Sequence, residues 1–276
     1  MKNGLLSRLL IAAAFIPLIL VLTTKGGIPF LVFVELLTFL GTLEFCRLLK
    51  LKGASTSAFL LILTGAVFPI SAYMWGEFVL LPLVVFGTAM NVVIIVLAGR
   101  IEQGILKVSS YVFGLIYIPL GFTFFLMIRQ LPYWSGMDYA TGSTWVIFVL
   151  LTIWSCDTLA YFVGRLIGKH RFSPEISPKK TWEGATAGFI GALLTAPLCY
   201  FLFFKQAPFK HLLVMSIIIG ALGQVGDLLE SLLKRDVDIK DVSILIPGHG
   251  GVLDRFDSLL FVSPLVYFYL KVLVYV

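Results

Sequence analysis

The carboxylates near the C-terminal end of the chain are of the type that binds metal ions. Asp227 follows two glycines near the end of an apolar segment, and Asp254 and Asp257 lie three residues apart at the start of the last one. Mg²⁺ prefers oxygen ligands and typically takes one or two protein carboxylates together with substrate phosphates. Asp227 and Asp254, on adjacent antiparallel helices, are therefore predicted to supply such a pair.

Basic residues and glycines lie between and beside these carboxylates along the chain. Lysine and arginine side chains neutralise phosphate charge, and glycine lets the backbone approach an anion closely. The basic residues are Lys234, Arg235, Lys240 and Arg255, and the glycines that end the "GHGG" turn are Gly250 and Gly251. Asp236 and Asp238 are interpreted as solvated loop residues, whereas Asp241 adjoins Lys240 and is a candidate binding residue.

A third acidic residue lies in an earlier apolar segment. Asp157, Tyr161 and Arg165 follow one another at steps of four, which places them on one face of a helix. Two interpretations stay open. The acid and the arginine either join this face to a neighbouring helix, or the face lines a water-filled cavity.

The stretch "SPKKTWEG" comes after that segment and carries Ser177, Lys179, Lys180 and Thr181. Adjacent lysines beside a membrane commonly anchor a helix at the headgroups. Here hydroxyl groups and Trp182 accompany them, and this combination suits a phosphate and a base. The stretch is a candidate substrate-binding segment.

The elements that must position these residues are apolar helices. The chain has 276 residues, of which 59% are hydrophobic and 13% charged, and its mean hydropathy is +1.00. Soluble domains carry about 25% charged residues. Repeated apolar runs of membrane-spanning length predict an all-α polytopic membrane protein, because backbone groups in lipid must pair within the segment.

We predict about nine transmembrane helices from these runs, with boundaries uncertain by about two to four residues. They lie at 8–24, 28–48, 56–75, 78–98, 108–128, 144–168, 184–204, 211–229 and 256–275. In the seventh, Gly184 with Gly188 and Ala187 with Gly191 predict close helix packing.

The basic residues fall mainly on one side of this arrangement. Of the 21 Lys and Arg, 16 lie in the N-terminus and in or beside the loops after spans 2, 4, 6 and 8. The positive-inside rule places these in the cytoplasm, and nine spans place the C-terminus on the opposite side. The net charge of +6 is thus a topology signal. Because no concentrated basic domain exists, we expect no nucleic-acid partner.

The chemistry-bearing residues are unevenly distributed between the two halves of the chain. Residues 1–140 are predicted to form N-terminal helices that act as a scaffold or face lipid. Residues 141–276 are predicted to combine C-terminal helices with cytoplasmic catalytic loops. In the first half, Glu44 lies near the end of its helix and close to Arg47, where we expect a paired interfacial residue.

The stretch "SLLKRDVDIKDVSILIPGHGGVLDRFD", residues 231–257, resembles the signature of phosphatidate cytidylyltransferases, also called CDP-diacylglycerol synthases. Every specified position of that pattern is met. "SCDTLAYFVGRLIGKH" and "SPKKTWEG" resemble other cytoplasmic blocks of the family. The resemblance is specific over roughly residues 150 to 260 and non-specific before them.

The resemblance implies an enzyme that transfers the cytidylyl group of CTP to phosphatidic acid. The products would be CDP-diacylglycerol, used in phospholipid synthesis, and pyrophosphate. It also implies a requirement for Mg²⁺, a homodimer and a location in a bacterial plasma membrane with the active site facing the cytoplasm. The polar motifs agree with this because they lie where CTP and a lipid phosphate would meet.

The expected mechanism is direct attack of the lipid phosphate on the α-phosphorus of CTP. Asp227 and Asp254 are the expected metal ligands, with Asp257 and Asp157 as further or alternative ligands. His249 is expected to donate a hydrogen bond in its turn rather than to act as a base. The residues expected to bind phosphates, CTP or the lipid headgroup are Lys234, Arg235, Lys240, Arg255, Ser177, Lys179, Lys180, Thr181, Asp241, Gly250 and Gly251.

Two other classes of protein compete with this interpretation. A CDP-alcohol phosphotransferase would need a D-G-x-x-A-R block, which the chain lacks. A transporter or channel would show repeated, broken helices that meet at the midplane. Here the charge gathers at one face of one half instead.

Overall fold

The computed structural model describes residues 15–54, 58–99, 102–205, 207–240, 242 and 250–275, and it is almost entirely helical. The helices are α1 (Phe15–Lys25 in its described part), α2 (Gly27–Leu51), α3 (Ala58–Trp75), α4 (Leu80–Leu97), α5 (Gly104–Tyr117), α6 (Pro119–Trp134), α7 (Tyr139–Ile167), α8 (Trp182–Leu202), α9 (Phe209–Arg235) and α10 (Leu253–Leu273). A two-stranded antiparallel sheet, β1 (Arg171–Ser173) and β2 (Ser177–Thr181), lies between α7 and α8.

Seven helical stretches among the described residues are long and apolar enough to cross a membrane. They are Gly27–Leu51, Ala58–Leu97, Gly104–Trp134, Tyr139–Ile167, Trp182–Leu202, Phe209–Arg235 and Leu253–Leu273. The prediction of an all-α polytopic membrane protein is confirmed. The count of nine spans and the sides on which the termini lie stay predictions.

The 40-residue stretch Ala58–Leu97 contains two helices that pack against each other. A short 3₁₀ turn, in which Gly76 has φ +73°, separates α3 from α4. A methyl group on Gly87 of α4 would lie 3.4 Å from the side chain of Thr64 in α3. Each helix has 18 residues, or about 27 Å, which is close to the hydrocarbon thickness of a bilayer.

The single span predicted at 108–128 forms two helices, α5 and α6. The break falls at Pro119, which has no backbone N–H to continue the hydrogen-bond ladder of the preceding helix. The ladder resumes one turn later, where the Phe122 amide donates to the Ile118 carbonyl at 3.0 Å. Pro119 therefore explains why two helices form where one span was predicted.

The described residues form two compact units. Unit 1 comprises those of Met1–Met127 and Asp236–Phe256, and unit 2 those of Ile128–Arg235 and Asp257–Val276. Aromatic side chains fill the core of unit 1. The ring centroids of Phe30 and Phe125 lie 5.3 Å apart, and those of Phe122 and Phe256 5.7 Å apart, within the range of favourable ring contacts. 

Small residues bring α7 and α8 of unit 2 into close contact. A methyl group on Gly184 would lie 2.7 Å from the Ala160 carbonyl oxygen, and one on Gly188 would lie 2.8 Å from that of Cys156. Gly191 is similarly constrained by a carbonyl 3.0 Å away. The close packing predicted from the glycine spacing is confirmed at these three positions, since even alanine would force the helices apart.

Glycines also determine how α9 meets the Asp257–Leu273 part of α10 in unit 2. A methyl group on Gly226 would lie 2.8 Å from the Asp257 carbonyl oxygen. The Ser258 hydroxyl donates to the Gly223 carbonyl at 2.9 Å. Because Asp227 directly follows Gly226, this contact brings the side chains of Asp227 and Asp257 into the same region.

Candidate active site

A cavity of about 680 Å³ lies in unit 2 between α7, the β-hairpin, α8 and α9. This volume is typical of sites for small molecules. The polar side chains that line it are Asp157, Tyr161, Arg165, Arg171, Lys179, Lys180, Thr181, Gln224 and Asp227. The cavity therefore brings together the predicted polar face of α7, the lysine pair and the acid of α9. It favours the cavity interpretation of the α7 face over a structural acid–arginine pair.

Lys180 forms an ion pair with one acidic residue of this cavity. Its Nζ lies 2.7 Å from Oδ2 of Asp227, and the two side chains are 27% and 37% exposed. Its charge also interacts with that of Asp157. The ammonium group and both carboxylates line the cavity, where a ligand would contact them.

Asp257 adds a third carboxylate to the surroundings of Asp227. Its charge interacts with those of Asp227, Asp157 and Glu230. Helix packing through glycine holds these like charges together, and such a group favours a bound cation. No group of three or more His, Cys, Asp or Glu side chains within the described residues has the arrangement of a metal site. Two carboxylates, those of Asp157 and Asp227, line the cavity, and Mg²⁺ typically takes one or two protein carboxylates together with substrate phosphates.

The hairpin that carries the lysine pair is fixed to the start of α8. The His170 Nδ1 atom lies 2.6 Å from Oε1 of Glu183, and the Trp182 amide donates to the His170 carbonyl at 2.9 Å. The rings of Phe172 and Trp182 meet edge to face, with centroids 4.4 Å apart. These contacts hold β2 so that Lys180 reaches Asp227.

Thr181 ends the hairpin and begins α8. Its Oγ1 accepts a hydrogen bond from the Gly184 amide at 3.2 Å, which caps the helix N-terminus. A methyl group on Gly168 would lie 2.6 Å from this oxygen, so the end of α7 also packs against it. Thr181 therefore has a structural role in addition to its place in the cavity lining. Its predicted contact with substrate stays a prediction.

Three predicted binding residues of unit 2 lie outside the lining of this cavity, namely Ser177, Lys234 and Arg235. Lys234 Nζ lies 2.5 Å from Oε2 of Glu230, and the two side chains are 13% and 2% exposed. Arg235 Nε donates to the Ile176 carbonyl at 3.3 Å and so contacts the hairpin. The i, i+4 spacing of Glu230 and Lys234 could have revealed their pairing from the sequence.

The glycine-rich motif of unit 1 is organised by two carboxylates. The Gly251 amide donates to Oδ2 of Asp254 at 2.9 Å. Glu44 of α2 accepts hydrogen bonds from the backbone amides of Val252 at 3.0 Å and Leu253 at 2.9 Å, where α10 begins. The sequence placed Glu44 at the interface beside an arginine, whereas the structure leaves it only 2% exposed. Sequence reasoning missed this role because the partners are 208 residues apart.

The same contacts explain why the motif needs glycine. Gly250 has φ +77°, a conformation that other residues rarely adopt. A methyl group on Gly251 would lie 2.5 Å from Oε2 of Glu44. Lys240 and Arg255 of unit 1 are exposed. His249 and Asp241 lie outside the described residues, and their roles stay predictions.

The sequence was compared with known protein families and with curated proteins. The model of the Cytidylyltransferase family matches residues 6–273. The chain belongs to the cytidylyltransferase family. The resemblance predicted from the C-terminal motif is confirmed, and it extends over the first half of the chain, where the motifs were non-specific.

Curated relatives within the cytidylyltransferase family cover nearly the whole chain. The chain is 35% identical to the phosphatidate cytidylyltransferase of Bacillus subtilis over 98% of its length and 97% of the relative. It is 32% identical to the proteins of that name from Staphylococcus saprophyticus and Staphylococcus haemolyticus, over 96% of its length and 97% of each relative. The chain is therefore a multi-pass membrane enzyme of the nucleotidyltransferase class, which decides against the phosphotransferase and transporter interpretations.

Proposed function

We propose that the chain transfers the cytidylyl group of CTP to phosphatidic acid and so forms CDP-diacylglycerol and pyrophosphate. The relatives named phosphatidate cytidylyltransferase support this substrate pair. The structural observation that carries the proposal is the cavity that Lys180, Asp157 and Asp227 line together, with Lys180 paired to Asp227. A cavity at the end of membrane-spanning helices, lined by both acids and cations, suits a reaction between a nucleotide triphosphate and a lipid phosphate.

The lysine pair of the hairpin would bind the phosphates of CTP. Lys179 and Lys180 line the cavity from β2, outside the membrane-spanning helices, where a water-soluble nucleotide arrives. Compact ammonium groups act as point charges toward phosphate oxygens. Binding of a triphosphate there would let Lys180 exchange Asp227 for a phosphate oxygen.

Mg²⁺ would be held by Asp227, with Asp157 or Asp257 of the same unit as further ligands. The role of Asp254 as a ligand stays a prediction of the sequence. Bound there, it would offset the negative charge of the triphosphate and of the departing pyrophosphate. The ion pair with Lys180 is formed through Oδ2 of Asp227. The Oδ1 atom would then be the metal ligand.

The reaction itself is a displacement at the α-phosphorus of CTP. An oxygen of the lipid phosphate forms the new P–O bond, and the bond between the α-phosphorus and the oxygen that bridges to the β-phosphate breaks. Phosphate monoesters have a second pKa near 6, so the lipid phosphate is largely dianionic at neutral pH. No protein base is then needed, and the side chains act by positioning the substrates and neutralising charge.

The cellular setting belongs to the same proposal. The excess of Lys and Arg on one predicted side supports a cytoplasmic position for the hairpin and the GHGG motif, facing CTP, with the helices in the plasma membrane. The homodimer stays a prediction of the resemblance.

The direct test is an assay of the purified protein in detergent micelles with phosphatidic acid, Mg²⁺ and radiolabelled CTP. We expect label to enter the lipid extract and to be lost when EDTA replaces Mg²⁺. A folded protein that transfers no label to lipid, under conditions in which a relative does, would contradict the proposal.

A further inference from the structure

Two walls of the cavity differ in their surroundings. The hairpin wall carries Lys179 and Lys180 and lies between two membrane-spanning helices in the chain. A second wall is the C-terminal end of α7 and carries Tyr161 and Arg165. The cytidylyl transfer proposed above needs two substrates, one from water and one from the bilayer. Each wall offers a phosphate-binding cation to one of the two substrates.

Tyr161 and Arg165 form one polar unit on α7. Arg165 Nη1 donates to the Tyr161 hydroxyl at 3.0 Å, and Tyr161 is 58% exposed. No carboxylate within the described residues forms an ion pair with Arg165. Asp157 lies two turns deeper on the same face, about 12 Å along the axis. The guanidinium therefore retains donors for an anionic ligand.

The residues beside this polar unit are apolar and exposed. Phe162, Leu166 and Ile167 are 55%, 78% and 61% exposed. In a membrane-spanning helix such side chains face lipid. Arg165 precedes the end of α7 by two residues, or about 3 Å of rise. This depth is where tyrosine and arginine side chains meet lipid headgroups.

We propose that Arg165 and Tyr161 form the subsite for the phosphate monoester of the lipid substrate, which reaches the cavity sideways from the bilayer. The guanidinium presents a planar fork that matches phosphate oxygens. The Tyr161 hydroxyl orients the fork and donates a hydrogen bond to the ligand when one binds. The acyl chains then extend along the exposed apolar side of α7. This assignment rests on the proposed function and adds to it which wall binds which substrate.

The test separates the two Michaelis constants in detergent mixed micelles. The mole fraction of phosphatidic acid is varied at saturating CTP, and CTP is varied at saturating lipid. For Arg165→Gln we expect the KM for phosphatidic acid to rise about tenfold, as loss of a charged hydrogen bond predicts. For Tyr161→Phe we expect a rise of about threefold. The KM for CTP should stay within about twofold in both variants.

Lys169→Gln is the matched control, because Lys169 is an exposed cation four residues beyond Arg165 and outside the cavity lining. It should leave both constants unchanged. Lys179→Gln provides the reciprocal case and should raise the KM for CTP alone. Phosphatidylglycerol, a phosphodiester with negative charge, should not compete with phosphatidic acid in the wild-type enzyme.

Three results would overturn the subsite. They are a rise in the KM for CTP in Arg165→Gln, an unchanged KM for phosphatidic acid in that variant, and competition by phosphatidylglycerol as strong as that of a short-chain phosphatidic acid. Each requires an active wild-type enzyme. Absence of product from the wild type would instead contradict the proposed function itself, so the two failures are distinguishable.

Discussion

Asp227 of unit 2 and Glu44 of unit 1 lie in different surroundings. In unit 2, the Asp227 side chain is 37% exposed, lines a cavity and pairs with the side chain of Lys180. In unit 1, Glu44 is 2% exposed and accepts hydrogen bonds from two backbone amides. A carboxylate paired with a flexible ammonium can exchange its partner for a substrate, whereas one held by a helix start cannot. A carboxylate in an accessible ion pair therefore indicates a catalytic role, and a buried carboxylate bonded to backbone amides indicates a structural role.

The largest effect that this comparison predicts is on catalysis in unit 2. Lys180→Met should lower turnover by about 10²–10³, as removal of one charge-stabilising donor does in other enzymes. The free energy of unfolding should change little, because Asp227 is left facing a cavity that water can enter. Turnover of labelled CTP measures the effect on catalysis, and thermal unfolding in detergent measures the effect on stability. A large loss of stability with normal turnover would reverse the assignment of this pair.

The next effect is on stability in unit 1. Glu44→Ala removes the acceptor of two backbone amides and should lower the free energy of unfolding by about 2–4 kcal/mol. Gly251→Ala should also destabilise, because its methyl group would meet the Glu44 carboxylate. In the Glu44→Ala background the same glycine substitution should cost much less. Additive effects in this double-mutant cycle would show that the carboxylate does not constrain the glycine.

A smaller effect on stability is expected to distinguish Gly184 of unit 2 from Gly104 of unit 1. Gly184→Ala should cost about 1–3 kcal/mol, because the new methyl group meets the Ala160 carbonyl across the α7–α8 contact. Gly104→Ala, in α5 of unit 1, has no heavy atom within 4 Å of the new methyl group. It should be neutral or stabilise by up to about 1 kcal/mol through helix propensity. Thermal unfolding of both variants tests these two predictions. Equal destabilisation by the two substitutions would argue against the close contact between α7 and α8.

The smallest effect concerns an ion pair at the surface of unit 1. Lys52 Nζ lies 2.7 Å from Oδ1 of Asp236, and the side chains are 43% and 55% exposed. Such pairs contribute less than about 1 kcal/mol and are screened by salt. Lys52→Met should therefore leave turnover unchanged and alter stability only slightly. A marked loss of turnover would mean that the loop after α9 needs this anchor.

Patterns confined to one helix predicted the structure well. The four-residue steps of Asp157, Tyr161 and Arg165 placed them on one face, and the structure puts all three in the cavity lining. The two glycines before Asp227 lie within four residues of each other on α9, and α10 packs against them. Both signals rest on helix geometry, which depends only on neighbouring residues.

Features that depend on distant residues were not predictable in this way. The hairpin was not predicted because β1 has only three residues and β2 contains Pro178 and two lysines rather than an alternating apolar pattern. The capping of α10 by Glu44 joins residues 208 positions apart. No local spacing indicates such a contact, because its partner amides carry no side-chain signal.

The most direct test of the account compares two aspartate substitutions in the labelled-CTP assay. Asp227→Asn removes a carboxylate that lines the cavity, and Asp236→Asn removes one at the surface of unit 1. We predict that lipid-extractable label falls by about 10²–10³ in the first variant and stays within about twofold of wild type in the second. Normal transfer by a folded Asp227→Asn enzyme would contradict the claim that cytidylyl transfer takes place in this cavity.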